Sequence, residues 1–166
     1  MRGALRFAPL LLLFSGGAAP AQTSPALPDI DLIRVRKAQR IMELWSGDRL
    51  VRTIEHIQLG SRPRDPKRFE GDGRTPEGRY AIDWGNPASA YHLSLHISYP
   101  NEADRAFAAA QGRSAGGMIM IHGQPNGWPA GRVPGDWTDG CIAVADAEKE
   151  ALWEAVADGT PIEIAP

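Results

Sequence analysis

Between residues 33 and 59 apolar and polar side chains alternate. Ile33, Val35, Met42 and Leu44 interleave with Arg34, Arg36, Glu43 and other polar residues, as a strand with one wet face would. Ser46-Gly47-Asp48 is turn chemistry. The pattern resumes from Leu50 to Leu59, so Ile33–Trp45 and Leu50–Leu59 are expected to form a β-hairpin. Residues 60–78 break the rhythm with Arg, Pro, Gly and Asp and read as a long loop closed by the tight turn Thr75-Pro76-Glu77-Gly78. Tyr80, Ile82 and Trp84 alternate again. From Tyr91 to Tyr99, Tyr91, Leu93, Leu95 and Ile97 share one face of an expected strand, and His92, Ser94 and His96 share the other.

Asn101 to Gln111 is Ala-rich and reads as a helix capped by Asn101. Met118-Ile119-Met120-Ile121 is a short apolar strand that runs into His122-Gly123, and a second Gly/Pro-rich loop follows from Gln124 to Gly135. Asp146 is expected to cap a helix reaching about Ala157, with Ala151, Leu152, Ala155 and Val156 as its apolar stripe. Gly159 ends it, and Ile162–Ile164 form a last strand. No internal repeat is present. The pattern predicts a mostly β protein with one or two helices.

The start of the chain does not fit this fold. Arg2 and Arg6 precede an apolar run from Phe7 to Phe14, and Ala18-Ala19-Pro20-Ala21 follows. This is the order of a secretory signal peptide, with cleavage expected after Ala21. The run is too short to span a bilayer, which takes roughly 20 apolar residues, so no stable membrane insertion is expected after cleavage. Residues 22–32 read as a short linker and residues 33–166 as one domain. Two of the 18 basic residues and none of the 20 acidic ones lie in residues 1–21, so residues 22–166 carry a formal charge of −4. That mild charge, with no basic block, argues against nucleic acid as a partner.

One feature of the composition bears on chemistry. Cys141 is the only cysteine in the chain. In an exported protein, an unpaired thiol is either an inert apolar residue or a reactive one. His122 stands at the mouth of a buried strand, and Cys141 follows Gly140 after a loop able to fold back. An imidazole beside a thiol makes a nucleophile that attacks a carbonyl. Gly140 would let substrate approach the backbone, where N–H groups form an oxyanion hole. His92, His96, His122 and Cys141 are also metal-ligand types, but no Cys-x-x-Cys or His-Glu-x-x-His spacing is present, so no metal and no cofactor is expected.

The stretch IHGQPNGWPAGRVPGDWTDGCIAV resembles the signature of L,D-transpeptidase (YkuD-type) domains: a histidine followed by a small residue, about fifteen residues, then Ser/Thr-His-Gly-Cys and an aliphatic residue. GDGRTPEGRYAID resembles the family's Thr-Pro-x-Gly turn and its following strand, and GTPIEI its closing strand. YHLSLHISYPNEADRA resembles a subgroup that includes murein hydrolase-like members.

The resemblance implies a YkuD-like β-sandwich or barrel domain in the periplasm or cell envelope. It implies a cysteine acyl-enzyme that acts on peptidoglycan stem peptides and forms L,D cross-links or protein–peptidoglycan attachments. Cys141 is then the nucleophile and His122 the base, with Gly140 in the oxyanion region and Thr138 at the motif's hydroxyl position. His96, Gly123 and Trp137 are weaker expectations for the substrate-lining wall.

The family carries a second histidine where Asp139 stands, and Arg or Asn where Ala143 stands. Asp139 is therefore expected to orient His122 by a carboxylate–imidazole bond or through its backbone. A carboxylate near the thiol would by itself raise its pKa, which makes an ion pair with His122 more necessary. The acyl acceptor stays open: an amine gives a transpeptidase, water a carboxypeptidase or murein amidase. A non-catalytic wall-binding module with an inert Cys141 is the reading from another class.

Overall fold

The computed structural model describes residues 26–166, so the expected signal peptide and residues 22–25 lie outside the described residues. The elements in chain order are β1 (Leu32–Arg36), β2 (Ile41–Ser46), β3 (Arg49–Glu55), β4 (Gly78–Ser89), β5 (His92–Ile97), α1 (Glu102–Ala109), β6 (Ile119–His122), β7 (Ile142–Ala143), α2 (Asp146–Ala155) and β8 (Pro161–Ala165). The strands form one curled sheet in the order β3-β2-β1-β8-β4-β5-β6-β7. The mostly β architecture with two helices is the one expected.

Alternation builds the first half of this sheet. Ile33 sits opposite Leu44 on β2 and Ile162 on β8, and Ile162 sits opposite Tyr80 on β4. Val35 is likewise flanked by Met42 and Ile164. All of these side chains are buried, so two cross-strand rows form one continuous apolar layer. The long β4 joins the two halves: Gly78–Ala81 pair with β8, and the pairing then passes to β5 with register shifts between Ile82 and Gly85. Such irregularities bend a strand and increase its twist. They also break the expected alternation, and Trp84 stands at the surface, 38% exposed.

The segment expected as one strand from Ile33 to Trp45 is two strands, β1 and β2, with a turn over residues 37–40 in which Arg40 has a positive φ of 56°. Lys37 explains the turn. Its ammonium donates to the carbonyls of Asp65 and Thr75 at 2.8 and 3.0 Å and to Glu77 Oε1 at 2.7 Å. The hairpin across Gly47 is as expected, but β3 ends at Glu55, short of Leu59. Ile30, read as linker, is buried and bridges to Val156, so ordered packing begins before Ile33.

Residues 60–77 have almost no regular structure, yet they are tightly tied. Asp72 accepts the N–H groups of Arg68, Phe69 and Arg74, and Lys67 Nζ lies 3.0 Å from its Oδ1. Burial alone would raise the Asp72 pKa, but these donors outweigh it and hold the carboxyl below its ordinary value.

Asn101 caps α1 as expected, in a capping box with Asp104. In α2 the first residue is Asp146 and the cap is Ala145, so Asp146 is not the cap that was expected. Its carboxylate instead accepts the Gln124 N–H at 2.7 Å. No helix among the described residues is long and apolar enough to cross a membrane.

The buried face of α2 contains Leu152 and Ala155, and also Lys149, which is fully buried. Lys149 Nζ has no hydrogen-bond partner and lies 5.1 Å from the centre of the Trp153 ring. Burial lowers its pKa from 10.5 to about 7. The unfolded chain therefore binds more protons between those two values, and wild-type stability rises with pH across that window. Lys149→Met removes the penalty. The unfolding free energy of the variant from urea titration is expected to exceed that of the wild type at pH 6, by an amount on the order of several kcal/mol, and to converge on it toward pH 10. Equal stability at pH 6 would contradict this account.

Candidate active site

β6 is apolar and buried along its length, and it is paired on both sides. Ser94 of β5 lies opposite His122, and Ile142 and Ala143 of β7 run parallel beside Ile121 and His122. In this register Ile121 and Ile142 point to the core face. Cys141 precedes Ile142 and His122 follows Ile121, so alternation turns both side chains to the opposite face. Both line a cavity of about 800 Å³. A two-residue strand cannot hold itself in place, and β7 is supported on its other side by Gln58, whose backbone exchanges bonds of 2.9 and 2.8 Å with Ala143.

The imidazole is held from several directions. Its Nδ1 lies 2.7 Å from the Gly123 carbonyl oxygen. A carbonyl only accepts, so Nδ1 carries the proton in the neutral ring and the lone pair sits on Nε2. The rings of Tyr91 and Trp137 pack on it with centroids at 4.8 and 5.6 Å. Burial lowers the His122 pKa, the Gly123 carbonyl partly opposes this, and the charge of Lys149 adds to the lowering.

The thiol makes its hydrogen bonds with the backbone of the neighbouring segment. Sγ accepts from Met120 N–H at 3.3 Å and faces the Met118 carbonyl at 3.6 Å. Its pKa is raised, first by burial and then by Asp139, against the opposing effects of the Met120 N–H and Lys67. Low dielectric thus disfavours both charged forms. Both shifts favour a neutral thiol and a neutral imidazole over the ion pair. Catalytic contacts of this kind commonly tighten only when substrate is bound.

Thr138 bonds to the backbone on both sides of the Gly140–Cys141 peptide. Its hydroxyl donates to the Cys141 carbonyl at 2.7 Å and accepts the Gly140 N–H at 3.1 Å. That second bond changes the role expected of Gly140, because its N–H is already taken. Gly140 has a φ of +135°, and a Cβ there would lie 2.5 Å from the Arg74 carbonyl oxygen. The residue is glycine because the chain at Arg74, not a substrate, approaches its backbone.

Asp139 lies exposed on the cavity wall and does not orient His122, since Gly123 occupies Nδ1. Trp137 lines the cavity. Gly123 does not line it. Its carbonyl positions the imidazole, and a Cβ there would meet Asp146 Oδ1 at 2.5 Å. His96 is likewise not a lining residue: its Nδ1 pairs with Asp83 at 2.5 Å, and its ring stacks on Trp84 at 4.8 Å. His92 pairs with Glu150 at 3.0 Å, so the four metal-ligand types are not gathered at one point.

Several site residues have no counterpart in the sequence reading. Tyr91 was assigned to an apolar strand face, but His92 has a positive φ of 64°, which breaks the alternation and lets Tyr91 join the cavity wall. Gln124 and Gln58 form a buried amide pair at 3.1 Å. The Gln124 Oε1 accepts the Val133 N–H, and Gln58 Nε2 donates to the Gly135 carbonyl, which staples the Gly/Pro-rich loop to the flank of β7. Lys67 also lines the cavity. The only available signal for these residues was an uncommonly long loop.

The YkuD family, described as the L,D-transpeptidase catalytic domain, matches residues 30–164. YafK of Escherichia coli (strain K12), a provisionally named L,D-transpeptidase, is 37% identical over 60 residues, which is 35% of this chain and 22% of that protein. The helical cell shape determining protein Pgp2 from Campylobacter jejuni shares the fold with a TM-score of 0.66 at 26% identity, covering 87% of this chain and 51% of Pgp2. The chain thus spans about half the length of Pgp2. An L,D-transpeptidase from Xylanimonas cellulosilytica superposes with a TM-score of 0.54 at 16% identity, over 87% of this chain and 65% of that one, a likeness of fold. With the family domain matching almost from end to end of the described residues, the chain belongs to the YkuD family of L,D-transpeptidase catalytic domains.

Proposed function

We propose that the protein is an exported cysteine peptidyltransferase that acts on peptidoglycan stem peptides through an acyl-enzyme on Cys141. The observation that carries this reading is the placement of Cys141 and His122 on one face of two adjacent strands, in one cavity, with the imidazole locked so that Nε2 is the basic nitrogen. The basic and apolar order of residues 1–21 supports export.

The chemistry follows from the two neutral groups. His122 Nε2 takes the thiol proton as Sγ attacks the carbonyl between the L-centre of a diamino acid and a terminal D-residue. The C–S bond forms and the carbonyl becomes a tetrahedral oxyanion. When the C–N bond breaks, the imidazolium returns the proton to the departing amine and leaves a thioester. An incoming amine gives up a proton to His122 and displaces the sulfur, forming an L,D cross-link or an attachment to a protein amine. Water in the same position would release a trimmed stem peptide. Thr138 fixes the carbonyl of Cys141 during these steps, and the aromatic rings of Tyr91 and Trp137 hold the imidazole.

Ala143 is fully buried beside Gln58, so the Arg or Asn of the family pattern has no equivalent reach into the cavity here. The acceptor contact must come from other residues. Pgp2 is named for determining helical cell shape, and a role in cell-wall construction is the corresponding proposal for this chain.

Incubation with purified muropeptides, followed by mass spectrometry, is expected to give a covalent Cys141 adduct and cross-linked dimers. Cys141→Ala should abolish both, and His122→Ala should lower the rate about 10²–10⁴-fold. Trimmed monomers without dimers would replace the transferase reading by the hydrolase. A folded protein whose thiol reacts with neither muropeptides nor a carbapenem would leave only a wall-binding module.

The resting protonation state makes a separate prediction. Alkylation of Cys141 by iodoacetamide should keep accelerating as the pH rises through 8 and 9, because burial raises the thiol above its usual range of about 8.5. A preformed thiolate would instead give a rate plateau beginning below pH 7.

A further inference from the structure

The cavity that holds Cys141 also contains a charge that the mechanism above does not use. Lys67 lines its wall, is 4% exposed, and belongs to the irregular segment before β4. Its Nζ lies 3.1 Å from the Phe69 carbonyl oxygen and 3.0 Å from Asp72 Oδ1. An ammonium has three N–H donors, so one remains for whatever enters the cavity.

The formal charges of Lys67 and Asp72 cancel, but the carboxylate is shared with backbone donors, which loosens its hold on the ammonium. Asp72 Oδ1 also accepts Arg74 N–H at 3.1 Å, and Oδ2 accepts Arg68 and Phe69 N–H at 2.7 and 3.0 Å. Four donors share one negative charge. The three backbone bonds alone would hold the loop, and burying an ammonium beside them adds a desolvation cost that an apolar side chain would avoid. A cation kept at the wall of a cavity at that cost fits a ligand that carries the opposite charge.

Two carboxylates, Glu70 and Asp139, line the same cavity, but both are exposed and therefore screened by solvent, while Lys67 is not. Ser114 lines the cavity from the adjoining segment. Its Oγ accepts Gly116 N–H at 3.0 Å and its own proton stays free to donate. Gly116 and Gly117 complete that end of the wall with no side chains to fill it.

We propose that Lys67, with Ser114 beside the same cavity, is a specificity-determining subsite that binds a carboxylate of the stem peptide. This deepens the function proposed above and rests on it. The carboxylate has two sources, the terminal D-residue and the free carboxyl of the diamino acid, and both offer the same chemistry to the ammonium.

The test compares three synthetic peptides as donors for the wild-type protein: a stem peptide ending in diaminopimelate–D-alanine, its C-terminal amide, and its diaminopimelate amide. One of the two amides is expected to raise KM at least tenfold with kcat nearly unchanged, and which one does so names the source. Lys67→Met should raise KM for the parent peptide by a similar factor and erase the discrimination. Because that variant leaves Asp72 buried without its cation, Lys67→Met/Asp72→Asn is measured beside it, with thermal melts to establish folding. If the wild type acylates with all three peptides at KM values within twofold, the subsite is refuted while the acyl-enzyme reading stands. Retained discrimination in a folded Lys67 variant refutes it equally. If none of the three acylates Cys141, both the subsite and the underlying function fall.

Discussion

The parallel pairing of β6 with the two residues of β7 carries the site. It aligns Ile121 with Ile142 toward the core and leaves His122 and Cys141 on the cavity face. Side chains alternate with a period of two along a strand, so a slip of one residue would turn the sulfur into the apolar interior. So short a strand depends on outside support, which comes from the Gln58 backbone on one side and the Val144 N–H bond to the His122 carbonyl on the other. The Gln58–Gln124 amide pair, the Thr138 hydroxyl and the crowding of Gly140 against Arg74 all serve this register. Asp136 adds to it by accepting the Leu59 N–H at 2.8 Å while pairing with Arg40.

Burial then decides the chemistry available to the pair. The core that fixes β6 and β7 takes the imidazole out of water and covers part of the thiol, which lowers the pKa of His122 and raises that of Cys141. Each shift favours the neutral form, and the charge of Lys149 behind the imidazole pushes in the same direction. On the proposed mechanism, proton transfer during attack replaces a standing ion pair. A neutral base with a fixed Nδ1–H needs no carboxylate to select its tautomer, because the Gly123 carbonyl does so. This accounts for the tolerance of Asp139 at the position where the family pattern has histidine: that residue lies on the wall and holds nothing in place.

The parts legible in the sequence were those governed by simple periodicity or by a compact motif. Alternation located most of the strands, Asn101 announced its helix, and the spacing of His122 to Thr138-Asp139-Gly140-Cys141 picked out two residues that line one cavity. What stayed hidden depends on long-range contacts. Lys37, Lys67 and Lys149 are all buried, which their residue type does not signal; Lys37 is held by the distant Asp65, Thr75 and Glu77, Lys67 by its own loop, and Lys149 by no hydrogen bond. The turn at Arg40 and the displacement of Tyr91 come from positive φ angles at residues that are not glycine, which composition does not signal. His96 shared a strand face with the expected site, but the bulged β4 offers it Asp83 and Trp84 as partners instead.

The central claim is that His122 rests as a neutral imidazole with its proton on Nδ1, beside a protonated Cys141. Nitrogen-15 NMR of imidazole-labelled protein, with the His122 signals assigned by their loss in His122→Asn, measures both the tautomer and its pKa. The account predicts a mostly neutral, Nδ1-protonated ring from pH 7 to 8, with the midpoint below the ordinary histidine value of about 6.5. An imidazolium at pH 7, or a proton residing on Nε2, would contradict it.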